Sequence, residues 1–303
     1  MRQHFYDILR EALDANERLA AVTAEIGTAT IGPHARHFNV GIREQLMIGV
    51  AAGLALEGYR PVVHSYAPFL VERPYEFLKL DLGHNDLGAV LVSAGASYDA
   101  SREGRTHQAP EDVAVVAALP GWTIHVPGHP EEMERLVRRA FETDERVYLR
   151  LTDETNHARA DGDGLVVLRR GSPGTPLALA VGPTLQPVLE ATADLDLTVA
   201  YLTTVRPFPH ADVRDALGDC EDVVLVEPYL RGTSSAEMSV ALEDRAHRLL
   251  ALGVANEEFR HYGSGPEHRA ARGLDAAGIR ASLDGFLRPR LRAPGRWRAR
   301  AAS

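Results

Sequence analysis

The spacing of hydrophobic and polar positions changes several times along the first half of this chain, which predicts alternating helices and strands. Apolar residues recur every three or four positions in 5–18, the spacing of an amphipathic helix. Segments such as 61–66 and 89–92 are short and largely apolar, as is typical of strands buried in a parallel sheet. The predicted strands of this half are 19–24, 61–66, 89–92, 122–126 and 147–151, and the predicted helices are 5–18, 44–56, 69–82, 111–119 and 130–141.

The alternation stops in 154–176, which is rich in turn-forming residues, and then starts again. Strands alternating with helices indicate a parallel sheet covered by helices on both faces. The predicted strands of the second half are 177–181, 197–203 and 223–226, and helices are predicted after Pro183, near 212–217, at 234–250 and at 275–287. We therefore predict an α/β protein of two consecutive parallel-sheet domains, 1–156 and 177–287, joined by a linker at 157–176 and followed by an Arg-rich tail at 288–303.

Composition narrows the class of protein without identifying its function. The 303 residues are 45% hydrophobic and 25% charged, as in ordinary globular proteins, and no apolar run is long enough to span a membrane. A formal net charge of -9 argues against nucleic acid as the main partner. Cys220 is the only cysteine, so no disulfide framework is possible, and the first residues lack a secretory signal. We expect a cytoplasmic protein with no membrane association.

The first chemical feature is a single carboxylate at the start of an apolar helix. Residues 39–45 lead into the run 46–56, which is almost wholly apolar and is closed by Gly58. Glu44 is predicted to lie in the first turn of this helix, where the dipole favours an anion. A poorly solvated carboxyl at such a position can share a proton with a bound base.

Residues 39–56 resemble the segment of transketolases and 1-deoxyxylulose-5-phosphate synthases that carries the cofactor-activating glutamate. In that family, this glutamate hydrogen-bonds the aminopyrimidine N1′ of thiamine diphosphate and promotes loss of the thiazolium C2 proton. The resemblance extends over roughly residues 5–287 and is greatest to the C-terminal section, or small subunit, of split transketolases. It implies that Glu44 activates a thiamine diphosphate cofactor.

Two further stretches carry the same resemblance. Residues 65–70 are similar to the family segment whose aromatics flank the aminopyrimidine, which implies that Tyr66 and Phe69 hold this ring, and the similarity continues through Arg73. Residues 103–108 resemble the Asp-Gly-x-Thr-His-Gln loop, in which the histidine contacts substrate and assists proton transfer. This implies a catalytic role for His107, with supporting substrate contacts from Gln108 and Glu103.

The segment 162–164, Gly-Asp-Gly, imitates the start of the family's metal-binding motif. No asparagine follows at the required spacing and no predicted strand precedes it, so we interpret it as part of the linker. In the family, a separate N-terminal section holds the diphosphate and Mg²⁺. The resemblance therefore implies a partner subunit that supplies this half of the site, in an α2β2 assembly.

Two departures from the family bear on the substrate. Ser93 and Asp153 occupy positions where the resemblance would place the cations that bind a substrate phosphate. Without those cations the phosphate would lose charge-assisted hydrogen bonds, so we expect a non-phosphorylated acceptor. The loop 97–103 also differs from the family in length and sequence, and a shift of this loop could instead bring Arg102 or Arg105 into the vacant position.

Together these features predict the small subunit of a two-component transketolase-like enzyme, active only with its partner. It would transfer a two-carbon ketol or acyl unit to an aldehyde or ketone. One alternative is the beta subunit of a 2-oxo-acid dehydrogenase or acetoin-cleaving complex, which shares a similar glutamate helix. The other is a non-catalytic scaffold subunit. The Thr-His-Gln sequence argues against the first, and the complete set of candidate site residues argues against the second.

Overall fold

The computed structural model describes residues 1–162, 164–260 and 262–288, which form two mainly parallel sheets with helices packed around them. This confirms the predicted α/β class with two successive parallel sheets. Within the described ranges, none of the helices has both the length and the apolar character needed to cross a membrane. Asp163, in the middle of the Gly-Asp-Gly segment, and tail residues 289–303 lie outside the described residues.

The first sheet has seven strands in the order β10-β5-β6-β4-β3-β1-β2. These strands are β1 (Leu19–Thr23), β2 (His37–Asn39), β3 (Arg60–Tyr66), β4 (Ala89–Ala94), β5 (Trp122–His125), β6 (Arg146–Arg150) and β10 (Thr204–Arg206). All neighbours pair in parallel except β10, which crosses over from the second half of the chain and pairs antiparallel with β5.

The second sheet has five strands in the order β12-β11-β8-β9-β7, and only β7 pairs antiparallel. These strands are β7 (Leu165–Arg169), β8 (Leu177–Val181), β9 (Thr198–Leu202), β11 (Asp222–Leu230) and β12 (Arg248–Val254). One hydrophobic core cluster continues from one sheet to the other, since it includes Leu91 and Val126 as well as Leu179 and Leu225. The two sheets are therefore joined by buried apolar contacts as well as by β10.

Helices cover the faces of the two sheets. They are α1 (Arg2–Ala15), α2 (Thr28–Ile31), α3 (Glu44–Leu56), α4 (Tyr75–Phe77), α5 (Asp112–Ala117), α6 (Pro130–Phe141), α7 (Leu185–Ala191), α8 (His210–Leu217), α9 (Ser235–Ala241), α10 (Gly265–Ala271) and α11 (Ala276–Leu287). Helix α3 is apolar on nearly all sides: Met47, Ile48 and Ala51 are buried against the sheet, whereas Leu46 and Leu56 remain exposed.

The prediction of one helix over 234–250 is wrong. The chain forms α9 over its first part and then, after a turn, the edge strand β12. The apolar run at the start of β12 suits either structure by pattern alone, and pairing with β11 makes it a strand. The predicted linker 157–176 likewise contains β7, whose backbone pairs with β9.

The predicted helix 69–82 is divided at Pro74. Pro74 has no amide hydrogen for an intrahelical bond, so the helical path is interrupted there. The chain forms a π-helical segment at Pro68–Glu72, then α4, then a second π-helical segment at Leu78–His84. These wide turns place Phe69 and Arg73 beside the start of α3.

Candidate active site

The candidate residues gather at the carboxyl ends of the first sheet's parallel strands. Tyr66 is the last residue of β3, the loop that carries His107 follows β4, and Asp153 follows β6. Since these strands are neighbours and run in parallel, their carboxyl ends form one edge of the sheet. Ligands of open α/β sheets bind at such edges, which agrees with the predicted location of the site.

Glu44 is the first residue of α3 and is only 1% exposed. Its Oε2 accepts a hydrogen bond from Arg73 Nη1 at 2.6 Å. The Arg73 guanidinium also lies 4.3 Å from the centroid of the Phe69 ring. The buried carboxylate is thus held by a charge-assisted bond whose donor is itself packed on an aromatic face.

Three rings, those of Tyr66, Phe69 and His107, pack together near this carboxylate. The His107 ring centroid is 5.3 Å from that of Tyr66 and 5.0 Å from that of Phe69, with both pairs edge to face. Tyr66 and Phe69 are 6.3 Å apart and nearly perpendicular. The two rings are not parallel as they stand, so a flat ring stacked between them would require one side chain to rotate.

The loop from β4 to α5 brings the third ring to this cluster. Gly95 begins it with φ 72, and a Cβ there would come within 2.7 Å of the Tyr66 ring, so only glycine allows this close approach. A backbone bridge between Ser97 and Ala109 closes the loop, and two short 3₁₀ turns fill it. His107 is partly exposed, and its Nδ1 lies 2.9 Å from the Thr106 hydroxyl.

Gln108 is fully buried, unlike the adjacent His107. Neither its Oε1 nor its Nε2 has a hydrogen-bond partner among the described residues. A buried amide without partners costs about 1–3 kcal/mol per unsatisfied group, so this side chain has unused hydrogen-bonding capacity. Glu103 is exposed, and its backbone carbonyl accepts a long bond of 3.4 Å from the Thr106 hydroxyl.

Ser93 lies inside the first domain and is bonded to a neighbouring strand. It is 0% exposed, and its hydroxyl lies 2.8 Å from the hydroxyl of Tyr148. Tyr148 in turn donates to Asp112 Oδ2 at 2.7 Å. Burial, and then the adjacent Asp112 charge, raise the pKa of Tyr148 well above its usual range, so its hydroxyl remains a donor. Ser93, which the sequence places among the substrate residues, is therefore part of a buried hydrogen-bond network in this structure.

Asp153 is exposed at the edge of the site, and its backbone amide donates to Asp99 Oδ2 at 2.9 Å. Of the two candidate replacement cations, Arg105 pairs with Glu111 at 2.7 Å and with Glu258 at 3.4 Å. The other, Arg102, is exposed.

A cation that the sequence did not predict comes from the first helix. Arg2 Nη1 donates to the Tyr66 hydroxyl at 3.1 Å, and its guanidinium lies 5.7 Å from the centre of that ring. The side chains lie 64 residues apart in sequence, so only the helix packing reveals the contact. No group of three or more potential metal ligands occurs among the described residues.

The chain is similar to known proteins along most of its length. Residues 1–156 match the family model described as transketolase, pyrimidine binding domain. The chain is 47% identical over 293 residues to an uncharacterized 33.6 kDa protein in the fasciation locus of Rhodococcoides fascians, covering 91% of each. It is 29% identical to the B subunit of an apulose-4-phosphate transketolase from Actinobacillus succinogenes, covering 92% of this chain and 94% of the relative.

Longer relatives match only in part. The chain is 32% identical to 1-deoxy-D-xylulose-5-phosphate synthase of Thioalkalivibrio sulfidiphilus, and the match covers 82% of this chain but 40% of the synthase. Among solved structures, a split gene transketolase described as an inactive beta4 tetramer superposes with a TM-score of 0.79 at 24% identity, covering 94% of this chain and 97% of that one. The matched first domain and these relatives show that the chain belongs to the transketolase pyrimidine-binding-domain family of thiamine diphosphate-dependent enzymes.

Proposed function

We propose that the chain is the small subunit of a two-component, thiamine diphosphate-dependent enzyme that transfers a two-carbon ketol or acyl unit to an aldehyde or ketone. The observation that carries the proposal is the buried Glu44 carboxylate, fixed at the start of α3 beside Phe69 and His107. A scaffold subunit would not need a desolvated carboxylate and a histidine at the same edge of the sheet.

The donor set suits one half of the cofactor. Glu44 can accept a hydrogen bond from a protonated ring nitrogen, and the Phe69 and Tyr66 faces can hold a flat heterocycle once one of them turns. Arg73 would keep the carboxylate in place and cover Phe69. When bound, thiamine diphosphate supplies the nucleophilic carbon that takes the unit from its donor.

His107 has the second role in this proposal. Its ring is partly exposed next to both aromatics, where it can hydrogen-bond a substrate hydroxyl and hold or release a proton. Gln108 adds an amide whose donors and acceptor are unused. A small shift of the loop on substrate binding would give these groups partners.

A partner subunit is proposed because the described residues lack the other half of the site. They contain no cluster of three or more ligands able to hold Mg²⁺, and the Gly-Asp-Gly segment of the sequence lacks its asparagine. Large apolar side chains flank Glu44 and stand in solvent: Phe38 is 39% exposed, Ile42 72% and Leu46 48%. A partner carrying the diphosphate and Mg²⁺ would cover these three side chains and close the site.

Self-association is proposed from helix α3, whose only polar side chains are Glu44 and Gln45 at its start. Helices without a polar face are normally buried on all sides, but Leu56, at the opposite end of α3 from Glu44, is 70% exposed. Two relatives carry names that describe multi-subunit assemblies of those proteins, one as a B subunit and the other as a beta4 tetramer. We infer an α2β2 assembly for this chain.

Reconstitution tests the proposed function. The chain is mixed with a candidate large subunit that carries the Gly-Asp-Gly and Asn metal motif, together with thiamine diphosphate and Mg²⁺, and ketol transfer between a ketose donor and an aldehyde is followed. Activity should require both chains and be lost in Glu44→Gln but not in Glu57→Gln, which alters an exposed glutamate at the opposite end of α3. Equal activity of the large subunit alone would refute the proposal.

A further inference from the structure

The loop that carries His107 has little regular structure of its own. Between β4 and α5, residues 95–111 contain only the Ser97–Ala109 bridge and two single 3₁₀ turns, and we call this segment the site loop. Ser97 adopts φ 49, a left-handed conformation that a non-glycine residue keeps only when its surroundings hold it. The position of His107 must therefore be fixed by contacts from outside the loop.

Hydrogen bonds from the second domain meet the site loop at its beginning, middle and end. Ser97 Oγ donates to the Pro228 carbonyl at 2.5 Å, and Ser101 Oγ donates to the Gly263 carbonyl at 2.6 Å. The Leu230 amide donates to the Pro110 carbonyl at 2.7 Å. Because Pro228 and Leu230 both belong to β11, two of the three bonds come from one rigid strand of the second sheet.

Side chains add to these bonds. The rings of Tyr98 and His268 stack with centroids 5.5 Å apart and planes 13° from parallel, and both are buried. Gly104, with φ 76, lies so close to Tyr262 that a Cβ would come within 2.7 Å of that ring. Along its length, the site loop is therefore packed against the second domain.

The first domain contacts the same loop at the His107 ring, at Asp99 and at Ser97, and at Ser97 the second domain bonds the same hydroxyl. Arg150 Nη2 donates to Ser97 Oγ at 2.6 Å, while Arg150 Nε donates to Asp112 Oδ2 at 2.7 Å. Arg150 and Asp112 are both fully buried, so the geometry of this ion pair is fixed by packing. The Ser97 hydroxyl accepts from Arg150 and donates to Pro228, and so links the two domains at the start of the loop.

We infer that the second domain positions His107 for the reaction, and that Ser97 and Ser101 are its main positioning residues. The inference rests on the proposed function for its catalytic meaning, but the placement of the ring is a separate property. Catalytic groups displaced by about 1 Å lose on the order of 100-fold in rate, so hydrogen bonds distant from the chemistry can matter. The second domain thereby contributes to the site without supplying a side chain to it.

A comparison of matched variants tests this. Ser97→Ala and Ser101→Ala each remove a hydroxyl that bonds the site loop to the second domain. The control, Tyr201→Phe, removes a buried hydroxyl of the second domain that donates to Glu132 Oε2 of the first at 2.7 Å, away from the loop. All three variants weaken the contact between domains, but only the first two should disturb His107.

Two readouts are used. In the assembled enzyme, Ser97→Ala and Ser101→Ala should lower kcat at least ~10-fold without changing the affinity for cofactor, whereas Tyr201→Phe should leave kcat unchanged. In the full chain labelled with ¹³C-histidine, the His107 resonance, assigned by its loss in His107→Asn, should shift or broaden in the two serine variants alone.

The inference is overturned if the serine variants match Tyr201→Phe in both kcat and the His107 resonance. If Ser97→Ala does not fold, Ser101→Ala decides, since it leaves the Arg150–Asp112 pair intact. If the wild-type assembly shows no ketol transfer, the proposed function fails, and the resonance comparison still decides whether the second domain places His107.

Discussion

Glu44 and His107 reach the same edge of the sheet by different means. Glu44 begins a regular helix, and its hydrogen-bond donor Arg73 lies only 29 residues away on the segment that packs against α3. His107 lies in an irregular loop whose position depends on residues more than 100 positions later in the chain, such as Pro228 and Gly263. A site can thus combine one group fixed by local structure with another fixed by the packing of two domains.

The largest effect on turnover should follow from changing Glu44, the group whose position is fixed by local structure. Glu44→Gln keeps a hydrogen-bonding side chain but removes the carboxylate that accepts and returns a proton. Turnover of the assembled enzyme should fall at least ~100-fold with every donor, the range usual for acid–base groups. Thermal unfolding and steady-state rates should be compared with those of Glu57→Gln, and near-native turnover of Glu44→Gln would show that this residue has no such role.

Changing His107, which lies in the site loop, should give a smaller and more selective effect on turnover. His107→Asn removes the titratable ring but leaves Glu44, Arg73 and Phe69 unchanged. We expect turnover to fall about tenfold to 100-fold, at or below the lower end of the range for acid–base groups, with cofactor affinity unaltered. Turnover measured at saturating cofactor would separate an effect on catalysis from an effect on cofactor affinity. A large loss of cofactor affinity would place His107 in the pyrimidine site instead.

Substrate preference tests the outer edge of the site. Asp153 is exposed where the family's phosphate-binding cations are expected, and Arg105 is already paired with Glu111 and Glu258. Each lost charge-assisted bond costs about 1.5–3 kcal/mol, and 1.4 kcal/mol is about tenfold in affinity. We therefore predict at least a ~100-fold loss of preference for a sugar phosphate relative to a family member with both cations.

The corresponding measurement is a competition between glyceraldehyde 3-phosphate and unphosphorylated aldehydes in the assembled enzyme. Arg2→Ala serves as the informative variant because Arg2 is a cation bound to Tyr66. Arg10→Ala is the matched control, since this arginine is exposed on the same helix and has no place in the site. A clear preference for the phosphate that disappears in Arg2→Ala would show that the cation is supplied by α1.

The smallest effect concerns stability rather than catalysis, and comes from His64 in the middle of β3. Its Nδ1 donates to the Val92 carbonyl at 2.7 Å, so in the neutral ring Nε2 accepts from the Tyr6 hydroxyl at 2.9 Å. Burial lowers the pKa of His64 to about 4. As pH falls below about 6.5, the unfolded chain takes up a proton that the folded chain excludes, so the free energy of unfolding decreases until about pH 4.

This decrease in the free energy of unfolding is at most about 3 kcal/mol between about pH 6.5 and pH 4, and His64 causes no such decrease above pH 7. Urea unfolding at pH 7 and pH 5 should show a smaller pH dependence for His64→Gln than for the wild type, while His157→Gln, at an exposed position, should behave as the wild type does. An unchanged difference between the two pH values in His64→Gln would contradict this explanation. His125, whose pKa burial also lowers to about 4, should retain part of the dependence.

Local patterns predicted the parts of the molecule that depend on local structure. The long apolar run behind Glu44 and the short apolar runs of β3 and β4 show the type of each element by their length and their flanking residues, so the α/β class could be predicted. The apolar run at the start of β12 suits a helix or a strand, and its state is decided by pairing with β11.

Contacts between distant segments could not be predicted in the same way. The bond from Arg2 to Tyr66 requires α1 to pack with its first residue at the carboxyl edge of the sheet. The neighbours of Ser93 in sequence place it among the substrate residues, whereas its hydroxyl hydrogen-bonds Tyr148 of the adjacent strand β6. The domain boundaries and the roles of Glu44, Tyr66, Phe69 and His107 stay predictions.

In the proposed complex, this chain provides the pyrimidine side of a thiamine diphosphate site and a partner provides the rest. Calorimetric titration of the isolated chain with thiamine diphosphate and Mg²⁺, repeated with the assembled complex, distinguishes this division from a complete site on one chain. We predict no binding in the micromolar range by the chain alone, because aromatic contacts and one carboxylate must hold the cofactor without a metal, and tight binding by the complex that Glu44→Gln weakens. Micromolar binding by the isolated chain would contradict this division.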